Sequence, residues 1–304
     1  MSGVRIRSGR PLVSRLLVGK PVEEALRLVP LLFSLCGRAQ GLAAQAAAAT
    51  AMGRGMDEES LHQGAKAILR EAAGEHLWRL LLDWPAALGL PRRETELAAA
   101  RRRLATVADD ASWRTALDEI LAVSLLGQPA RRWLDGDLAA WRAKGSPAAT
   151  LWQAMDGALA GIERVTPSVN ENSPLARLQG RLPADMHPVA ARFLARLAEL
   201  ALWATGDVPP VRKFIRAQSA AAGQGEALAL VARGSLHHRL RIEDGRVAEY
   251  AITVPTDWNF APAGPFAREA RGIRGSTAAE IESAARLLAL SLDPCVAVKV
   301  ELLS

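Results

Sequence analysis

Apolar positions recur along this chain at two different periods, and the change of period divides it. From Asp57 onward, Leu61, Ala65, Ile68, Ala72, His76 and Leu80 fall on one face of a helix. The pattern closes at Asp83-Trp84-Pro85 and turns His76 toward the interior. Residues 91–165 are helical in pattern and rich in charge, with Trp113, Trp133, Trp141 and Trp152 as core anchors. Residues 166–180, with Pro167, Asn170, Asn172 and Pro174, read as a loop. The spacing predicts another helix from about Pro188 to Ala204, with Val189, Phe193, Leu197 and Leu200 on one face and Gly206 as its stop.

The period then shortens to two. Leu228–Val231, Leu236–Ile242 and Val247–Val254 read as strands, with Asp244-Gly245 as a hairpin turn. Leu236, His238, Leu240 and Ile242 share a face, so His238 points inward and His237 outward. A Pro-rich loop over 255–265 leads to a last helix from about Thr277 to Leu290. At the other end, Val4, Ile6 and Leu12–Val18 predict a small hairpin around Ser8-Gly9. Pro21, Glu23 and Glu24 suit the first turn of a helix that runs to Leu35 and ends at Cys36-Gly37. An Ala-rich helix follows Gly41.

Composition narrows the class. Half of the 304 residues are hydrophobic and 23% are charged, as expected of a soluble globular protein with a sizeable core. The expectation is one domain over 1–304, predominantly helical α+β with a small sheet. The net charge of +6 is carried by scattered arginines, such as Arg101-Arg102-Arg103, Arg131-Arg132 and Arg239, that often lie near acids. These read as solvated helix faces and not as a nucleic-acid surface. Two cysteines, Cys36 and Cys295, make no disulfide framework and suit a reducing cytoplasm. Arg15 and Lys20 interrupt the apolar stretch near the N-terminus, and the run from Leu42 to Met52 is too short to span a bilayer. The chain is therefore expected to be cytoplasmic and not membrane-embedded.

No Gly-rich phosphate loop, Gly-x-Ser-x-Gly elbow or paired helical histidines occur, so no generic enzyme signature is present. His237 and His238, on opposite faces of a strand, are poorly placed for one metal. Several short segments carry a more specific signal: Leu35-Cys36-Gly37 before an Ala-rich helix; Ala232-Arg233-Gly234-Ser235-Leu236 before His238; Val254-Pro255-Thr256-Asp257-Trp258-Asn259; Gly264-Pro265 with Glu269; and Asp293-Pro294-Cys295. In this order and spacing the chain resembles the large subunit of nickel–iron hydrogenases, chiefly over residues 225–300 and 1–90.

That resemblance implies a truncated large-subunit-like fold, and it also implies a lost active site. The family binds nickel and iron between two Cys-x-x-Cys pairs, whose soft thiolates suit those metals. Cys36 and Cys295 match the first cysteine of each pair. The second, bridging positions are Ala39 and Val298, which cannot ligate. Glu301 stands where the family has a histidine, Arg7 stands about where it has an acidic residue, and no peptide remains to be cleaved after metal insertion. Other positions are kept. Arg233 and Thr256 match the donors to the two cyanides on iron, Asp83 and Asp293 match the carboxylates that orient the arginine, and His76 matches a histidine near the site.

This combination resembles the hydrogenase expression/formation accessory proteins of the HupK type. It implies a maturation scaffold or chaperone with no hydrogenase activity, which transiently holds an Fe(CN)2CO unit and no nickel. Its partners would be maturation proteins: a small chaperone and the hydrogenase large subunit. Read without the resemblance, Cys36 and Cys295 could be buried free thiols, Arg233 a structural partner of Asp83 or Asp293, Thr256 a loop hydrogen-bond former and His76 a satisfied core histidine. The rival function is a cofactor-free mimic of the large subunit that occupies the small subunit or a maturation chaperone.

Overall fold

The computed structural model describes residues 3–8, 13–33, 35–142, 146–163, 170–183, 185–296 and 298–303. The site is built mainly from three N-terminal helices, a four-stranded sheet and the segment after the last helix. Helix α1 runs Val22–Leu32, α2 Gly37–Ala51 and α3 Glu58–Trp78. Asp57 caps α3, accepting from Ser60 N, and Glu58 and Glu59 favour its positive end. On the predicted face Ala65, Ile68, Ala72, His76 and Leu80 are buried, while Leu61 packs at the margin of the core. Past Trp78 the helix widens into a π-turn over Arg79–Asp83, so Arg79 and Asp83 stay in the helical column that the sequence pattern ends there.

The Ala-rich helix starts at Gly37, four residues ahead of the sequence expectation, with Cys36 as its N-cap residue. The cause is long-range: the Glu71 carboxylate, from α3, accepts from Arg38 N at 2.9 Å and Ala39 N at 3.2 Å. Those amides would otherwise be orphaned at the helix start. The alanines are there because α2 lies tight against the sheet. A Cβ on Gly225 would come within 2.0 Å of the Ala47 carbonyl oxygen, so only glycine fits.

The sheet is an antiparallel meander of β2 (Ile215–Ala221), β3 (Gln224–Val231), β4 (Gly234–Glu243) and β5 (Arg246–Thr253). Its last three strands follow the period-two pattern, with Asp244 (φ 49°) and Gly245 (φ 71°) in the hairpin turn. Strand β2 escaped the sequence reading because only Ile215 of its residues is buried, so no alternation shows. Among the described residues no N-terminal hairpin forms. Instead β1 (Gly3–Ser8) pairs antiparallel with β6 (Val298–Leu303), and Val13–Leu17 is a 3₁₀ turn. Gly9 lies outside the described residues. The Pro-rich stretch is not a plain loop but holds two short helices, Pro255–Asn259 and Pro265–Glu269, each with proline at its start.

The central helix, Pro188–Ala204, matches the predicted span, but it is buried nearly all round and has no single apolar face. It carries Trp203 and runs through the core beside Trp84 and Trp152, whose rings meet its Phe193 edge to face, and Trp113, Trp133 and Trp141 are likewise buried. Its charged Arg192 and Arg196 are enclosed and therefore need partners. Arg192 binds Glu171 (2.6 Å) and Glu269 (2.5 Å), which ties the central helix to the Pro265–Glu269 helix. The last helix, Ala278–Leu292, is capped by Thr277 and Glu280 in a capping box and ends at Asp293 in the left-handed conformation (φ 56°). Among the described residues no helix is long and apolar enough to cross a membrane.

Candidate functional site

Cys36, Gln40, Arg233 and Cys295 line one cavity of about 210 Å³, walled by apolar side chains such as Leu236 and Val254. A single water needs only about 10–15 Å³, so the space admits a small polyatomic group. The two thiols are brought together from opposite ends of the chain because α2 packs on the sheet while the last helix delivers Cys295 beside the β5 exit.

The thiols are not equivalent. Cys36 is 8% exposed, and Gln40, one helical turn on, donates from Nε2 to its Sγ at 3.5 Å. A cysteine at a helix N-terminus ordinarily has a lowered pKa. Here burial wins over that and over the Gln40 bond, and the thiol is pushed up to about 12. Cys295 is half-buried and is held by Thr256. The Thr256 hydroxyl donates to Cys295 Sγ at 3.2 Å and accepts from Cys295 N at 3.0 Å. Thr256 therefore reaches the site through Cys295, and its hydroxyl is engaged there and not turned on the cavity. Cys295 also borders a wider cleft of about 610 Å³, lined in part by Arg79, Arg92 and Arg286.

Arg233 is 3% exposed and sits at the tight link between β3 and β4. The link requires Gly234, whose φ is 146° and whose Cβ would lie 2.2 Å from Asn172 Oδ1. Asn172 closes the corner from both sides. It exchanges bonds with Ser235 (2.7 and 2.8 Å) and with Asn259 (3.0 and 2.8 Å), fixing Arg233 relative to the Thr256 helix. Arg233 Nη1 meets Glu75 at 2.7 Å, and Nε meets Asp293 Oδ1 at 3.3 Å. Burial lowers the arginine's pKa, but Asp293 and Glu75 outweigh it and hold the guanidinium charged. Burial, helped by the nearby negative charges of Asp293 and Glu71, outweighs Arg233 and pushes the Glu75 carboxyl up to about 8.

Asp293 is the hub of the charged network. Its carboxylate faces Arg79 (2.7 Å), Arg196 (3.3 Å) and Arg233 (3.3 Å). Burial pushes its pKa up, but the three guanidiniums prevail and hold it far below the usual carboxylate range. Asp83 does not share this role. It pairs with Arg79, the residue one turn before it, and so acts on Arg233 only through Arg79 and Asp293.

His76 lies away from the cavity lining. Its Nε2 meets Glu199 Oε2 at 2.9 Å and its ring stacks on Trp203. Burial holds it below the usual histidine pKa, and because a carboxylate only accepts, Nε2–H is the donor to Glu199. Glu199 also takes both ends of Arg177 at 2.7 Å. Arg177 in turn donates to the carbonyls of Val231 (3.1 Å), Ala232 (3.4 Å) and Gly234 (3.0 Å), which flank Arg233. His76 is thus a core histidine at the far end of a clamp on the arginine loop. Glu75, Arg79, Arg177, Glu199 and Gln40 escaped the sequence reading. Gln40, four residues after Cys36, and Arg79, four residues before Asp83, each left a local helical signal.

Burial pushes the Glu199 carboxyl up, yet Arg177 and His76 outweigh it and hold it at about 2. A depression from 4.5 to about 2 corresponds to on the order of 3 kcal/mol of folding stability. Because the folded pKa is the lower one, that stability is present above the unfolded value and lost as pH falls toward 2. Glu199→Gln should therefore flatten the acid limb of a stability–pH curve between about pH 4.5 and 2, measured by urea unfolding at each pH. An acid limb as steep as that of the unaltered protein would refute the assignment.

Among the described residues no group of three or more histidine, cysteine, aspartate or glutamate side chains is placed to hold a metal. The two cysteines and Arg233 are what the cavity offers. Ala39, at one bridging position, is fully buried and inert; the side chains of Val298 and Arg7 lie outside the described residues.

Residues 147–300 match the nickel-dependent hydrogenase family. The chain is 33% identical to the hydrogenase expression/formation protein HupK of Azotobacter vinelandii, over 98% of this chain and 93% of that protein. It is 31% identical to the hydrogenase expression/formation protein HoxV of Cupriavidus necator, over 97% and 92%. Among solved structures, an NAD+-reducing NiFe-hydrogenase superposes with a TM-score of 0.62 at 14% identity, covering 95% of this chain and 90% of that one. The Ni-Fe-Se hydrogenase of Desulfovibrio vulgaris Hildenborough gives 0.59 at 12% identity, covering 95% and 92%; both likenesses concern the fold. The chain belongs to the HupK-type hydrogenase expression/formation proteins, degenerate relatives of the nickel–iron hydrogenase large subunit that keep its fold.

Proposed function

We propose that this protein serves nickel–iron hydrogenase maturation as a scaffold, holding an Fe(CN)2CO unit on Cys36 and Cys295 for transfer to the hydrogenase large subunit. The observation that carries the reading is the convergence of both thiols and the Arg233 guanidinium on one cavity of about 210 Å³. Thiolates are soft ligands suited to iron, and anionic cyanides in a dry pocket need charged donors. Arg233 supplies such a donor, held in place by Glu75 and Asp293. Thr256 orients Cys295 and is assigned no cyanide. Two thiolates leave most of the iron's positions to its own diatomic ligands, which suits a cargo that must be released. The protein carries out no hydrogen chemistry of its own on this reading. It works in the cytoplasm with a small maturation chaperone and the large subunit.

The test is infrared spectroscopy on protein purified without oxygen after co-expression with the hydrogenase maturation machinery. Cyanide and carbonyl stretching bands are expected, and they should vanish in the Cys36→Ala/Cys295→Ala protein. If the unaltered protein shows neither bands nor iron, the scaffold reading is wrong. Partner binding that survives the double substitution would then favour the cofactor-free mimic.

A further inference from the structure

The strand face that the sequence turns inward carries a buried polar chain which ends on Cys36. Tyr250 Oη lies 2.8 Å from His238 Nδ1, and the two rings meet edge to face at 5.6 Å. His238 Nε2 lies 2.7 Å from Gln40 Oε1, and Gln40 Nε2 donates to Cys36 Sγ at 3.5 Å. Gln40 and His238 are both fully buried, and Tyr250 is nearly so. Each link comes from a different element: Tyr250 from β5, His238 from β4, Gln40 from α2. The close approach of α2 to the sheet at Gly225 is what lets the Gln40 amide reach the histidine.

The chemistry of the donors gives the chain a direction. With Gln40 Oε1 toward the ring and Nε2 toward the sulfur, His238 Nε2 carries the proton, because a carboxamide oxygen only accepts. In the neutral ring Nδ1 is then a lone pair, and the Tyr250 hydroxyl donates to it. With its oxygen so engaged, the Gln40 amide can present only N–H to the sulfur. Reversal of the histidine tautomer would reverse every bond and turn the amide oxygen toward Cys36, where it would repel a thiolate.

We infer that Tyr250, His238 and Gln40 are a positioning relay that fixes an N–H donor on the Cys36 sulfur and so tunes it as a metal-ligating thiolate. Outer-shell partners of this kind orient a ligand and set its donor strength, and losing one typically lowers metal affinity about 10–100-fold. The consequence for metal binding rests on the reading of Cys36 as a ligand; the direction of the relay does not.

Two measurements separate these. In the metal-free protein, nitrogen-15 NMR of the histidine rings should show His238 as the Nε2–H tautomer with an unprotonated Nδ1; a Nδ1–H tautomer overturns the relay. Anaerobic titration with cobalt(II) alone then reads the sulfur through its sulfur-to-metal charge-transfer band. Removing an N–H donor raises the sulfur levels, so Gln40→Leu should shift the band to longer wavelength and weaken binding by about 10–100-fold. His238→Leu should do the same without touching Cys36, whereas His238→Gln, which can still donate to Gln40, should restore the band. A shift in Gln40→Leu with none in His238→Leu would reduce the relay to a local contact and refute it. If the unaltered protein binds no cobalt, the ligand reading of the cysteines fails, and the tautomer alone decides the relay.

Discussion

Asp293→Ala is expected to cost roughly 3–5 kcal/mol of folding stability, the largest loss foreseen for any single side chain here. Asp293 is 1% exposed and is the anion shared by Arg79, Arg196 and Arg233. Removing it leaves these guanidiniums crowded in the interior with too few carboxylates. Arg79 would keep Asp83, and Arg233 would keep Glu75, but Arg196 would keep only the backbone carbonyls of Arg192 and Ser291. A second cost is conformational. The residue closes the last helix at φ 56°, a region where aspartate and asparagine are tolerated and alanine is strained. Asp293→Asn keeps the backbone and loses the charge, so it should fall between the two. Urea unfolding followed by circular dichroism orders the three proteins. Equal stability of the alanine and asparagine variants would show that the charge alone decides.

This network explains why the sequence showed the site in outline and not in wiring. The helix over 58–78 and the strands around His238 were legible because their apolar residues follow the period of one element packed on one core, and the helix over 188–204 because its long apolar run begins at a proline and ends before Gly206. The short motifs around Cys36, Arg233, Thr256 and Cys295 were legible because each is a compact local signature. What stayed hidden depends on pairs far apart in the chain. Arg177 and the carbonyl of Gly234 are separated by 57 residues, and His76 and Glu199 by 123. No spacing rule links such residues, and nothing local to Arg177 shows that its half-buried guanidinium clamps the arginine loop. Asp83 pairs away from Arg233 for a related reason. Its position near the arginine was foreseeable, but the π-turn supplies Arg79 as a nearer cation, and the carboxylate goes there. The pairing of β1 with β6 was equally unreadable, since strands joined from the two ends of a chain share no turn.

Cys295→Ala should have the opposite profile: an intact fold and lost function. The thiol is half-buried at the rim of a cavity, and its sulfur takes one described bond, from the Thr256 hydroxyl at 3.2 Å. The bond from the residue's own N–H to Thr256 Oγ1, at 3.0 Å, needs no side chain and survives in alanine. A stability change within about 1 kcal/mol is therefore expected. On the scaffold reading, the functional loss follows from ligand count. Of the two sulfurs that face the cavity, one would be gone, and among the described residues no other soft donor lines the space to replace it. The loss should exceed the roughly 10–100-fold that removal of an outer-shell partner costs, leaving hydrogenase activity in a host that depends on this protein near background. Cys295→Ser should fare little better, because an alkoxide-type oxygen is a harder and much weaker ligand than a thiolate. Thr256→Val, which frees the sulfur but keeps it, should retain part of the activity. Thermal melts and hydrogenase assays on the same strains read both quantities. Full maturation with a normally folded Cys295→Ala protein would remove the thiol from the mechanism and leave the surface of the large-subunit-like fold as the working part.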